Sequence, residues 1–153
     1  MQTITPYLWF DNQAEEAMRF YTSIFKNSKV GSVNRAGPGG PVMLVTFQLN
    51  GQDFIALNGG PHFKFNEAIS LFVSCDSQAE VDELWAALTA GGGQESQCGW
   101  LKDKFGLSWQ IVPRALMELM SDPDPRKAQA VTQAMLKMKK IETAELRRAY
   151  EQA

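Results

Sequence analysis

Apolar and polar residues change period several times along this chain, and those changes divide it into elements. From Thr3 to Phe10, β-branched and aromatic residues dominate and predict a strand, with Pro6, which has no amide to donate, marking an edge or an irregular start. Ala14, Ala17, Met18, Tyr21 and Phe25 then recur at steps of three and four and predict a helix with one buried face, opened by Asp11 or Asn12 as N-cap. Lys29 to Val33 and Val42 to Leu49 read as strands on either side of the loop Gly37-Pro38-Gly39-Gly40-Pro41, which no regular element tolerates. Asn50-Gly51 is a hairpin turn, because both central positions of the favoured turn need positive φ, and Gln52 to Leu57 returns as the next strand.

The same order then repeats. Ile69 to Ser74 predicts a strand, and Asp76 to Glu80 opens a helix with Val81, Leu84, Trp85 and Leu88 on its apolar face. That helix stops at Gly91-Gly92-Gly93. Short strands follow around Glu95 to Lys102, then a turn at Lys104-Phe105-Gly106, then Leu107 to Val112. Asp11-x-Gln13-Ala14-Glu15 returns as Asp76-x-Gln78-Ala79-Glu80, and Gly51 before Phe54-Ile55 matches Gly106 before Trp109-Gln110. Chance could supply five matching residues; it is a poor source of the match together with the element order. The chain therefore reads as α+β, a tandem of βαβββ modules in which each sheet curls into half a barrel, with a cupped cavity between the two. Module one spans residues 1–60 and module two residues 66–113, together forming one domain over 1–113.

Beyond Pro113 the pattern turns helical, and residues 114–153 form a C-terminal extension. Pro113-Arg114-Ala115 starts a helix carrying Leu116, Met117, Leu119 and Met120, and Asp122-Pro123-Asp124-Pro125 breaks it. Asp124 caps the next helix, with Pro125 in its first turn and Val131, Met135 and Met138 as its buried stripe. Ile141, Leu146 and Tyr150 suit a last turn or short helix. The methionines here read as packing, since thioethers fill gaps in cores.

Composition narrows the functional classes. With 44% hydrophobic and 21% charged residues the chain suits an ordinary folded domain. A net charge of −2 leaves no basic field for a nucleic-acid backbone, and the late Lys and Arg residues alternate with glutamates as a solvated helix face does. No apolar run is long enough to span a bilayer, so no membrane partner is expected. The first residues lack the basic and apolar regions of a secretory signal, and two cysteines, Cys75 and Cys98, do not make a disulfide framework; reduced thiols in a cytoplasm are the expectation.

Three stretches carry a family resemblance: Ile4 to Asp11 (ITPYLWFD), Ala14 to Tyr21 (AEEAMRFY) and Cys98 to Pro113 (CGWLKDKFGLSWQIVP), with Ala134 to Ile141 (AMLKMKKI) as a fourth. In these the chain resembles the PhnB-like branch of the vicinal-oxygen-chelate (glyoxalase/bleomycin-resistance/dioxygenase) superfamily, a branch often labelled 3-demethylubiquinone-9 3-methyltransferase-like. The resemblance implies the glyoxalase/bleomycin-resistance fold and a homodimer. It also implies either a small-molecule-binding protein or an enzyme, the latter a metal-dependent lyase or dioxygenase-like relative or the methyltransferase of the label. A dimeric scaffold without ligand is a third reading. No glycine-rich strand-turn-helix for a nucleoside cofactor is present, because Gly37 to Pro41 is interrupted by prolines and precedes a strand; no cofactor is expected.

Catalytic members of the superfamily hold a divalent metal with His, Glu or similar residues on the first and last strands of each module. The resemblance puts Thr5, Pro6 and Tyr7, Ile55 and Ala56, Ile69 and Ser70, and Gln110 at those places, and none is a strong ligand. No metal site is therefore expected. His62 with Glu67 supplies one imidazole and one carboxylate, fewer than the usual count, and His62 reads as a loop residue. Cys75 and Cys98 read as small buried hydrophobes, with Cys98 the better placed of the two to face the cavity. The strand aromatics Tyr7, Trp9, Phe47, Phe72, Trp100 and Trp109 either line the cup or pack beneath the helices. Those that line it, with Gln110, Asn58 and Ser70, would suit a planar or apolar organic ligand held by a few polar contacts. The candidate ligand-binding set is thus Tyr7, Trp9, Asn58, Ser70, Phe72, Trp100 and Gln110.

Overall fold

The computed structural model describes residues 2–153 and has two compact units, the first ending at Phe65 and the second spanning Asn66–Ala153. In the first, the order is β1 (Tyr7–Phe10), α1 (Ala14–Ile24), β2 (Lys29–Arg35), β3 (Val42–Leu49) and β4 (Gln52–Asn58). The second repeats it as β5 (Leu71–Cys75), α2 (Gln78–Thr89), β6 (Gln94–Glu95), β7 (Trp100–Lys102) and β8 (Ser108–Pro113), then adds α3 (Arg114–Met120), α4 (Pro125–Met135) and α5 (Thr143–Gln152). Each unit forms an open four-stranded sheet, ordered β1-β4-β3-β2 and β5-β8-β7-β6. In both, the first strand pairs in parallel with the last and the remaining pairs are antiparallel. The α+β class and the tandem βαβββ repeat are both present.

Strand alternation sorts each sheet into two faces. In the first unit Leu8, Phe10, Val45, Phe47, Leu49, Phe54 and Ala56 are buried on the side of α1, where the Tyr21 and Phe47 rings lie 6.3 Å apart. Tyr7, Trp9, Thr46 and Ile55 point the other way and are exposed or half-buried. The β3–β4 turn is made as the sequence requires, with Asn50 and Gly51 both at positive φ (48° and 81°). In the second unit Cys75, Leu101, Trp109 and Ile111 are buried on one face with Val81, Trp85 and Leu88 of α2.

The start of α1 departs from the sequence reading. Neither Asp11 nor Asn12 caps it; Gln13 is the N-cap and its side chain makes no capping bond. Asn58, at the end of β4 and opposite Phe10, accepts a 2.8 Å bond from the Ala14 amide instead, while its own Nδ2 donates to the Val42 carbonyl at 3.0 Å. At α2 the cap is Ser77, which accepts from the Glu80 amide, and the Glu80 carboxylate in turn accepts from the Asp76 amide at 2.6 Å. This is the reciprocal arrangement that satisfies helix-end donors locally. Asp124 caps α4 by accepting from the Arg126 amide, with Pro125 in the first turn, as read from the sequence. The last element is a helix of 10 residues, α5, anchored by Leu146.

The C-terminal helices pack into the second unit around Val112, Leu116, Val131, Met138, Ile141 and Leu146. Main-chain bonds from Cys98 and Gly99 to the carbonyls of Met138 and Lys139 join that segment to the strand edge, and the Gln78 amide bonds both the Ile141 carbonyl and the Thr143 amide. Among the described residues, no helix is long and apolar enough to cross a membrane.

Candidate functional site

Four of the seven candidate residues come together on the second sheet. Phe72 on β5, Gln110 on β8 and Trp100 on β7 are register partners, so their side chains stand in one row on one face. Ser70 lies two residues before Phe72, and its Oγ accepts a 3.0 Å hydrogen bond from Gln110 Nε2. Phe72 is 53% exposed, Trp100 is half-buried, and the Oε1 of Gln110 has no partner among the described residues. An amide thus sits between two aromatic rings, fixed by a hydroxyl at one end and open at the other. Alternation puts Ser108 and Lys102, opposite each other in the next row, on this same face. Lys102 is ion-paired with Glu67, and Ser108 is fully buried with an unpartnered Oγ.

The sequence repeat gives this row a counterpart in the first unit. Tyr7, Ile55 and Thr46 occupy the places of Phe72, Gln110 and Trp100 in the matching register, and there the amide is replaced by an aliphatic side chain. Tyr7 is 54% exposed. Trp9, on the same face, is held by the loop after β4. Its indole N–H donates to the Gly60 carbonyl at 3.0 Å, and Phe63 meets its ring edge-on at 4.9 Å. Gly59 must be glycine for this, since a Cβ there would lie 2.3 Å from the indole. Asn58 belongs to the opposite face, with both ends of its amide engaged at the start of α1 and at β3. The open face of the first sheet also carries a concavity of about 430 Å³ bordered by Thr5, Lys29, Thr46, Gln48, Asp53 and Ile55, and none of the seven candidates lines it.

The remaining aromatics resolve into core. Phe47 stacks on Phe54 at 5.3 Å, and Trp109 donates its indole N–H to Asp103 at 2.9 Å. Asp103 also accepts from the amides of Phe105 and Leu107, so this buried carboxylate fixes the Lys104-Phe105-Gly106 turn. Sequence reasoning passed over Asp103, although its place directly before a Gly-containing turn and an inward tryptophan is the available signal. Glu67 and Lys102 were likewise not paired by sequence, because one lies in a turn and the other on a strand. Lys102 holds the Glu67 carboxyl below its ordinary range. Burial, with Glu80 and Asp76 nearby, pushes the Cys75 thiol up to about 11, so it is a poor nucleophile at neutral pH. His62 is exposed in its loop.

Residues 2–112 match the family model described as 3-demethylubiquinone-9 3-methyltransferase. The chain belongs to that family. It is similar to a PhnB protein from Bacillus cereus at 36% identity, covering 73% of this chain and 99% of that one, with a TM-score of 0.67. Two further solved structures share the fold at 15% identity. One is a fosfomycin resistance protein, FosX, from Listeria monocytogenes complexed with Mn(II) and sulfate (71% of this chain, 88% of that one, TM-score 0.55). The other is a glyoxalase/bleomycin resistance protein from Albidiferax ferrireducens T118 (73% of this chain, 99% of that one, TM-score 0.50). The chain is thus a PhnB-like member of that family, with the glyoxalase/bleomycin-resistance fold. No curated protein matches it.

The fold group implies a divalent metal, and the residues here do not fit one. The donors at the implied positions are hydroxyls and the amide of Gln110, and that amide is already hydrogen-bonded to Ser70. Neutral hydroxyl and amide oxygens do not hold a transition metal against water. Among the described residues, no three His, Cys, Asp or Glu side chains converge as a ligand cluster. A nucleoside cofactor fits no better, because the glycine-rich segment at residues 37–40 joins antiparallel β2 to β3 rather than leading a strand into a helix.

Proposed function

We propose that this PhnB-like chain binds a small organic molecule on the open face of its second sheet, with Gln110 as the central polar contact. The observation that carries this reading is the row Phe72–Gln110–Trp100, in which an amide tied to Ser70 presents a free carbonyl oxygen between two accessible rings. Such a face suits a planar ligand that covers the rings and donates one hydrogen bond to Oε1. Ser70 orients Gln110, and Phe72 and Trp100 supply apolar area. Tyr7 and Trp9 are proposed as the first unit's contacts on its own open face, and Asn58 as a positioning residue that fixes the end of β4 behind them. The protein acts as a homodimer in a cytoplasm, where Cys75 and Cys98 stay reduced, and it works without a bound metal or cofactor.

Thermal-shift screening of the purified chain against aromatic and quinone-like compounds tests this, since a ligand selective for the folded state raises its apparent stability. A compound that stabilises the wild type is expected to bind Gln110→Ala about tenfold more weakly, in keeping with the loss of one well-placed hydrogen bond in an apolar setting. Equal affinity for both proteins would remove Gln110 from the site. The description of the matching family favours one second reading, methyl transfer. Calorimetric titration with S-adenosylmethionine decides it: the binding reading expects no heat of association, and saturable binding supports the transferase.

A further inference from the structure

The open face of the second sheet carries more than the Phe72–Gln110–Trp100 row. One step along the strands, Lys102 on β7 stands opposite Ser108 on β8, and alternation puts both on the side of Trp100 and Gln110. Two features set this second row apart. Ser108 is fully buried, yet its Oγ has no hydrogen-bond partner, a costly state for a polar atom inside a protein. Lys102 is paired with Glu67, a residue of the turn that leads to β5, where Asn66 Oδ1 accepts from the Ala68 amide at 2.9 Å. Both ends of that ion pair are accessible, with side-chain exposures of 38% for Lys102 and 61% for Glu67. Exposed pairs of this kind contribute little to stability, so a second carboxylate can exchange with the first at small cost.

Resting on the binding reading above, we infer that the ligand is a planar carboxylic acid, and that Glu67 occupies the place of the ligand's carboxylate on Lys102 until the ligand displaces it. The ring covers Phe72 and Trp100, a polar substituent reaches Gln110 Oε1, and the carboxylate takes the Lys102 ammonium. Ser108, opposite Lys102, is buried in the ligand-free chain and is reached only when Glu67 moves off Lys102; its hydroxyl then donates to the second carboxylate oxygen and gains the partner it lacks. Glu67 is a built-in competitor in this arrangement, and it sets a threshold against acids that cannot also use the rings. No bond is made or broken; the site exchanges one carboxylate for another.

Naphthalene-2-carboxylate and its neutral amide are the probes, titrated by calorimetry into the full-length wild type, Glu67→Ala and Lys102→Met. The acid is expected to bind the wild type about tenfold more tightly than the amide. Glu67→Ala should tighten the acid by about threefold or more and leave the amide unchanged, because only the acid competes with Glu67. In Lys102→Met the acid should lose its advantage while the amide still binds, which also shows that this variant is folded. Equal binding of acid and amide to the wild type, or a Glu67→Ala variant that binds the acid no better, overturns the inference and leaves the binding reading standing. Failure of both probes to bind any of the three proteins counts against both.

Discussion

At the scale of single residues, the burial of a polar group decides what it can do. Cys75 shows this most simply. It ends β5 at 1% exposure, and its thiol is pushed up to about 11 from an ordinary value of 9.0 by burial, with the Glu80 and Asp76 carboxylates adding to it. The folded chain therefore holds this proton more tightly than the unfolded chain does. The resulting stabilisation is complete below about pH 9 and is lost as pH rises toward about 11. Denaturation curves across that window should show falling stability in the wild type and a shallower fall in Cys75→Ala. Alkylation at pH 8 followed by peptide mass spectrometry should label half-buried Cys98 before Cys75. Gln110 is the opposite case: its amide is half satisfied and half open, and that open valence directs attention to it. The sequence marked Gln110 because the family resemblance led one to expect a metal-binding carboxylate there and a neutral amide stands instead. It could not mark Lys102 or Ser108, whose significance comes from what each lacks or meets across strands.

Among the elements, local pattern specified type and order well, and tertiary contacts decided the ends. The apolar spacing in α1 and α2 gave their buried faces, and the Asn50-Gly51 turn gave the β3–β4 hairpin. The cap of α1 was illegible because it is supplied by Asn58, 44 residues away, and no neighbouring residue does the work. Loss of that side chain should therefore be felt twice, at the Ala14 amide and at the Val42 carbonyl. Asn58→Ala is expected to destabilise the chain by about 1–2 kcal/mol, the range for a lost helix cap. Urea unfolding followed by circular dichroism checks it, with a lowered midpoint and an unchanged slope as the outcome. The same dependence on context explains the aromatics. Alternation groups Tyr7 with Trp9 and separates both from Phe10, but only the placement of α1 tells which face is the inner one.

For the whole molecule, the duplicated βαβββ order was readable because a five-residue motif and the sequence of elements recur together, and each copy builds an open sheet with the same pairing. The copies differ at the middle of the open row, which is Ile55 in the first unit and Gln110 in the second. The C-terminal helices, which lie beyond the matched residues 2–112, are built into the second unit through Met138, Ile141 and Leu146. They belong to the body that carries the Gln110 face.

That face is the centre of the account, and amide-resolved NMR titration of the full chain with a stabilising planar compound tests it most directly. The account predicts that the backbone signals of Ser70, Phe72, Trp100 and Gln110 move together and saturably. Signals that move only around Thr46, Gln48 and Asp53 on the first sheet, with those four unmoved, would contradict it.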